Sequence, residues 1–154
     1  FVRLLHRHGI ALMGTFVFGL DSDTPEVFEE TARFAIDSAI DLPRFAIATP
    51  FPGTPLYQRL AAQGRIVDRN WANYDGQHVV FQPDGLSIAE LQQGTERAWR
   101  RAYRWRHIAR RVASSPGPWH IALLTNWGYR HYAYRLDRFY TCDWPVAAGA
   151  AALK

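Results

Sequence analysis

Two strand-to-helix junctions hold the residues of this chain best placed for chemistry. In the first, Phe16-Val17-Phe18-Gly19-Leu20 runs into Asp21-Ser22-Asp23-Thr24-Pro25-Glu26, and in the second, Phe45-Ala46-Ile47-Ala48-Thr49-Pro50 runs into Phe51-Pro52-Gly53-Thr54-Pro55. A glycine at the carboxyl end of a strand lets backbone come close to a ligand, and ligands of parallel α/β folds sit at that end. Gly19 and the turn after Thr49 fit two neighbouring places on such a rim; as plain tight turns they fit equally well.

Other reactive side chains have competing roles. Asp21 and Asp23 offer a paired-carboxylate acid/base site, whereas aspartates just before a helix also cap it and favour its positive dipole end. His78 stands among alternating apolar residues near Tyr74 and Asp75, as a cavity group or as a hydrogen-bonded structural histidine. His6, His8, His107, His120 and His131 show no metal-ligand spacing. Cys142 is a lone thiol, which rules out an internal disulfide or a cysteine-only metal cluster from this chain. No nucleophilic triad emerges, and no catalytic residue is assigned.

Behind these junctions the apolar pattern sets the elements. Residues 1–8 read as a helix end stopped by Gly9. Ile10 to Leu20 has no polar side chain except Thr15, the pattern of a strand covered on both faces. Asp23 or Thr24 is expected to cap a helix running to about Ile40, with Pro25 in its first turn. A strand at 44–49 then completes a crossover unit. Thr54-Pro55 opens a third helix, which Gly64 closes.

Arg65 to Pro83 reads as an extended connector anchored by Trp71, Tyr74, Val79, Val80 and Phe81. Ser87-Ile88-Ala89-Glu90 is a capping box. Behind it Leu91, Thr95, Ala98, Ala102, Trp105, Ala109 and Val112 form one seam, which predicts a single long helix broken at Ser114-Ser115-Pro116-Gly117-Pro118. A second helix from about Trp119 to Phe139 is expected to fold back on it.

Composition narrows the class. The 154 residues are 48% apolar and 14% aromatic, as in a folded chain with one respectable core. No run of about 18 uncharged apolar residues is present, so a spanning helix is not expected. Charge is divided: residues 1–86 carry seven arginines against ten acids, and residues 87–154 carry ten arginines and a lysine against four acids. Arg97, Arg100, Arg101, Arg104, Arg106, Arg110 and Arg111 interleave with Trp99, Tyr103 and Trp105, a pattern that serves a solvated face, a membrane surface or nucleic acid.

The junctions together carry a family resemblance. Gly14-Thr15-Phe16-Val17-Phe18-Gly19-Leu20 with its acidic, proline-started helix, then Thr49-Pro50-Phe51-Pro52-Gly53-Thr54-Pro55-Leu56-Tyr57, resembles the late strands of a radical S-adenosylmethionine barrel. More narrowly it is similar to the cobalamin-binding group, which contains hopanoid methylases and the anaerobic cyclase of chlorophyll synthesis. The connector from Trp71 to Phe81 and the arginine-rich helix resemble the carboxyl-terminal extension of those proteins.

The resemblance implies an α/β fold: the C-terminal part of a partial (β/α) barrel with parallel strands at 1–66, a connector at 67–86 and a mainly helical extension at 87–154. It implies that Phe16, Val17, Phe18 and Gly19 lie beside the adenine and ribose of S-adenosylmethionine through backbone contacts, with Thr49 and Pro50 flanking the cofactor. It also implies a 4Fe-4S cluster held by a CxxxCxxC loop, and cobalamin as methyl carrier. That loop is not in this sequence, so it is expected before Phe1, in a missing N-terminal half of the same protein, and this chain alone is expected to be inactive. The parent is then an enzyme acting on an unreactive carbon of a lipid-like or tetrapyrrole substrate, by methyl transfer or oxidative cyclisation. Its expected setting is cytoplasmic, with membrane-surface contact through the basic helix. A non-catalytic module docking on anionic membrane or RNA is the competing class. A two-stranded sheet with exposed edges is also expected to pair with a second copy or to be only partly stable.

Overall fold

Gly9, at φ +74°, turns the chain out of a short helix, α1 (Val2–Arg7), toward the first strand, β1 (Met13–Phe18), in a computed structural model that describes residues 1–136. Helix α2 (Val27–Asp37) then crosses back to β2 (Leu42–Ile47), which pairs parallel with β1 from Met13 opposite Leu42 to Phe18 opposite Ile47. The fold is α/β, with two parallel strands and six α-helices among the described residues, as a partial β/α unit with a helical extension requires.

The strand pair is covered on one face only, which corrects the expectation of a strand buried on both sides. Along β1 exposure alternates, so Phe16 and Phe18 pack under helices while Met13 and Val17 are each 48% exposed. Phe16, Phe18 and Phe45 stack as a layer, with ring centroids 5.7 and 5.8 Å apart across the two strands. Phe28 and Phe34 of α2 close on that layer edge-on. Burial of each such ring contributes about 1.5–3 kcal/mol relative to exposure. On the opposite face Met13, Thr15, Val17 and Arg44 are exposed, while Leu42 and Ala46 are half-buried.

Two caps read from the sequence are present as expected, and one is not. Thr54 accepts the Tyr57 N–H at the start of α3 (Pro55–Ala62), which Gly64 ends at φ +69°. Ser87 and Glu90 exchange both bonds of the capping box at the start of α4 (Ile88–Ala102). Asp23 does not cap α2, which begins after Glu26 without a side-chain cap. Its carboxylate instead accepts the N–H groups of Gly19 and Leu20, at 2.8 and 3.0 Å, and so pins the turn leaving β1.

The expected single long helix is two. Helix α4 stops at Ala102, and α5 (Trp105–Ser114) starts in a new direction, because Arg111 donates to the Ala102 carbonyl at 2.8 Å and Arg130 to the Tyr103 carbonyl at 2.7 Å. Cationic donors thus satisfy the carbonyls that a continuing helix would have bonded. Helix α6 (Trp119–Ala133) folds back against α5 and ends at the Tyr134 cap, short of the expected Phe139; residues from 137 on, Cys142 among them, lie outside the described residues.

Helix α4 packs hardest on α2. At Gly94 an added Cβ would stand 2.4 Å from the Phe28 ring, so only glycine permits that approach. Glu29 of α2 and Arg101 of α4 clamp the pair at 2.7 Å. Trp99, Tyr103 and Ile108 join Phe18, Phe28 and Phe45 in a single buried cluster, so the strand unit and the extension share a core. Gly94→Ala is expected to destabilise the chain by roughly 1–3 kcal/mol through overpacking. The check is a urea unfolding midpoint; an unchanged midpoint would refute the close α2–α4 approach.

Candidate functional site

Parallel pairing directs the N–H and C=O groups of alternate residues to opposite edges. The N–H groups of Leu42 and Ala48 donate to Leu12 and Phe18, so Pro43, Phe45 and Ile47 face the outer edge of β2. Side chains and the connector close that edge. Tyr103 donates its hydroxyl to the Pro43 carbonyl at 2.9 Å, Trp99 and Gln77 donate to the Phe45 carbonyl at 2.9 and 3.1 Å, and Ile47 donates to the Gly76 carbonyl. Pro43 has no N–H to leave unpaired there. On the other side, the outward groups of Met13, Thr15 and Val17 meet no paired strand among the described residues. Of the two edges expected to be exposed, only that of β1 is.

The uncovered face follows from the same register. Met13, Thr15 and Val17 share it with Leu42, Arg44 and Ala46. Arg44 is the one cation among these six. Beside it Thr125, Gly128, Tyr129 and Tyr132 border an open recess of about 400 Å³. Burial pushes the Tyr132 hydroxyl up to about 12, against the opposing pull of Arg44 and with reinforcement from Asp75. Tyr132 is therefore a neutral hydrogen-bonding group at ordinary pH.

The residues expected to flank a cofactor lie at the carboxyl end of this face but present different groups. Phe16 and Phe18 turn their rings under the helices, and the Phe18 carbonyl already accepts the Ala48 N–H at 2.8 Å. Gly19 sits at φ +95°, where a Cβ would also meet Leu91 at 2.9 Å, and its N–H is held by Asp23. Thr49 donates its hydroxyl to the Ile47 carbonyl, and Pro50 is buried. Of these cofactor-flanking candidates, Val17 alone combines an open-face side chain with backbone groups on the free edge.

Beyond that rim, Asp21 holds Arg65 at 2.7 Å and Arg59 at 3.4 Å, joining the turn after β1 to α3. The hydrogen bond from Arg65 is the main cause that keeps its carboxyl below the usual range, so Asp21 serves as a tie and not as half of an acid/base pair with Asp23. His78 is fully buried and meets Asp75 at 2.7 Å, with the backbone N–H groups of Gln77 and His78 on the same carboxylate. That is the structural alternative for His78. No group of three His, Cys, Asp or Glu that suits a metal occurs among the described residues. The sequence missed Arg44 and Tyr132, and missed Trp99, Tyr103 and Gln77 as edge-closing groups; Pro43 inside a strand is the signal that marks an edge.

Comparisons with known proteins give the arrangement its context. Residues 54–119 match the family described as "Domain of unknown function (DUF4070)". The chain is 35% identical over 118 residues to the bacteriochlorophyllide d C-12(1)-methyltransferase of Chlorobaculum tepidum, covering 77% of this chain and 25% of that protein. It is 36% identical over 102 residues to the anaerobic magnesium-protoporphyrin IX monomethyl ester cyclase of Cereibacter sphaeroides, covering 66% of this chain and 16% of that one. The chain is related to the cobalamin-type radical S-adenosylmethionine enzymes. A 37% match over 76 residues to the hopanoid C-2 methylase of Rhodopseudomonas palustris, 48% of this chain and 14% of that protein, joins them. These relatives are methyltransferases and a cyclase, and the chain spans a quarter or less of the length of each of these three.

The Asp75 carboxyl is subject first to burial, which would raise it, but the bonds from His78 and the two N–H groups outweigh burial and hold it below its ordinary 3.8. A carboxyl lowered on folding stabilises fully above its unfolded value, and that contribution fades as pH falls through the folded value. Asp75→Asn is therefore expected to lower stability at neutral pH, with its deficit against the unsubstituted chain narrowing below about pH 4. Urea midpoints across pH 2–7 test this; a deficit constant with pH would contradict it.

Proposed function

We propose that the chain is the C-terminal portion of a radical S-adenosylmethionine enzyme that uses cobalamin as methyl carrier and acts on a tetrapyrrole or lipid-like substrate. The observation that carries this reading is the one-sided sheet: β2 is closed at its outer edge, while the β1 edge stays open and Met13, Thr15, Val17 and Arg44 are exposed on one face. An open groove of about 680 Å³ runs beside β1, bordered by Leu12, Gly14, Phe16, Phe34 and Ile40, and Phe34 on α2 is 59% exposed. A further parallel strand and its helix, added on the β1 side, would cover both. The open face would then line the interior of a barrel.

The residues present fit one of the implied groups and not the others. Val17, the Gly19 turn and Thr49 offer an apolar side chain and close backbone approach suited to the nucleoside of S-adenosylmethionine, which supplies the radical when bound. No described group suits an iron cluster, and cobalamin finds no assigned ligand here. Those parts fall to other segments of the parent, and this chain by itself is inactive. Its own contribution is to bind, orient and shield: Val17 shapes the nucleoside site, Arg44 gives the open face a positive charge suited to a carboxylate on the substrate, and Tyr132 offers a neutral hydroxyl.

The test is twofold. The reading frame upstream of Phe1 is expected to encode CxxxCxxC, and in the parent protein Val17→Glu is expected to weaken S-adenosylmethionine binding at least about tenfold, a change of about 1.4 kcal/mol. Equilibrium dialysis and 5′-deoxyadenosine formation read the effect. An upstream frame without that motif, or unchanged binding and cleavage in the variant, would overturn the reading.

A further inference from the structure

The helical hairpin exposes a patch that the open sheet face does not explain. Trp105, Trp119, Leu124 and Trp127 are 52%, 67%, 66% and 53% exposed, and with Leu123 they border a common recess of about 470 Å³ between α5 and α6. Trp119, Leu123 and Trp127 recur at intervals of four on α6, so they share its outer face. A second apolar groove, lined by Ile108, Ala109, Val112 and Leu123 among others, continues the patch along α5. Three half-exposed tryptophans grouped with leucines on one surface have the character of an interaction site.

Charge identifies the partner. Residues 97–136 hold nine arginines and not one aspartate or glutamate. Some of these cations have structural work: Arg111 is buried against Asn126 and the Ala102 carbonyl, and Arg130 lies over the rings of Trp105 and Tyr134 at 4.8 and 4.3 Å. Arg100 and Arg101 meet Glu96 and Glu29. Arg104 and Arg106, which flank Trp105, are exposed and meet no carboxylate among the described residues. Burial of Arg111 corrects the reading of the whole arginine series as one solvated or phosphate-binding face.

We propose that the α5–α6 hairpin docks on an anionic lipid bilayer, with Trp105, Trp119, Leu124 and Trp127 entering the headgroup boundary and Arg104 and Arg106 meeting lipid phosphates. Tryptophan, with an apolar body and one N–H, suits that boundary, and helices lying in it carry arginine beside their apolar face. No described helix is long and apolar enough to cross a membrane, which agrees with docking parallel to the surface. Nucleic acid would draw on the same arginines but would not call for Leu123 and Leu124 beside the rings. The inference is independent of the radical chemistry, because the patch is remote in sequence from both strand junctions.

The experiment uses the whole chain with vesicles of phosphatidylcholine alone and of an equimolar phosphatidylcholine–phosphatidylglycerol mixture, read by flotation. Binding to the anionic vesicles only is expected, with a blue shift of tryptophan emission. Trp119→Ser with Leu124→Ser is expected to weaken it at least about tenfold without changing the far-ultraviolet circular dichroism, as loss of buried apolar area requires. Arg104→Gln with Arg106→Gln is expected to reduce both affinity and its salt dependence. Should the serine variant misfold, quenching of the unsubstituted protein's tryptophans by brominated lipid gives the same answer. Equal binding to neutral vesicles, binding indifferent to the Trp119 and Leu124 changes, tighter binding to single-stranded RNA, or a stable dimer that buries these tryptophans would each overturn the proposal.

Discussion

Three side-chain donors reaching the outer edge of β2 govern the rest of this structure. Trp99 and Gln77 share the Phe45 carbonyl and Tyr103 takes that of Pro43, which lets a strand end its sheet without exposing unmet acceptors. An unpaired buried carbonyl costs about 1–3 kcal/mol, so these bonds both hold α4 on the sheet and forbid a further strand on that side. The same demand fixes where α4 ends. Tyr103 must point its hydroxyl at Pro43, and the carbonyls released by the break are taken by Arg111 and Arg130, which in turn set the course of α5 and α6.

An asymmetric sheet follows, and with it the location of any site. With one edge sealed and one face covered by α2 and α4, only the β1 edge and the face bearing Val17 and Arg44 remain for other parts of a longer protein or for ligands. The turn at the carboxyl end of β1 is built for close approach: glycine at φ +95°, pinned by Asp23, with Leu91 directly behind. The relatives are enzymes several times longer than this chain.

Local signals in the sequence hold in the structure where they act through their own backbone. Thr54-Pro55, Ser87 with Glu90, Gly9 and Gly64 each satisfy or end a turn within a few residues, so no distant partner alters them. Signals that depend on distant partners do not hold. Asp23 has the sequence of a helix cap yet serves the preceding turn, because the N–H groups of Gly19 and Leu20 lie closer to it. Apolar residues from Ile10 to Leu20 suggested two covered faces, though the second cover is not supplied by the described residues. The seam from Leu91 to Val112 keeps helical spacing across a break at Tyr103, since both helices bury a face in the same core. Arg111 counted as one of a basic row, and its burial depends on Asn126, fifteen residues away. The division at 67–86 rests on the extended connector between the two helical stretches, and the cofactor-flanking residues rest on the family resemblance and the proposal built on it.

Amide hydrogen exchange resolved by residue tests the central claim, that one edge of this sheet is sealed from within and the other awaits a partner. In the chain alone, Ile47 is expected to exchange slowly and Thr15 and Val17 rapidly; in the longer enzyme proposed above Thr15 and Val17 become slow as well. Slow exchange at Val17 in the monomeric chain, or rapid exchange at Ile47, would contradict the account.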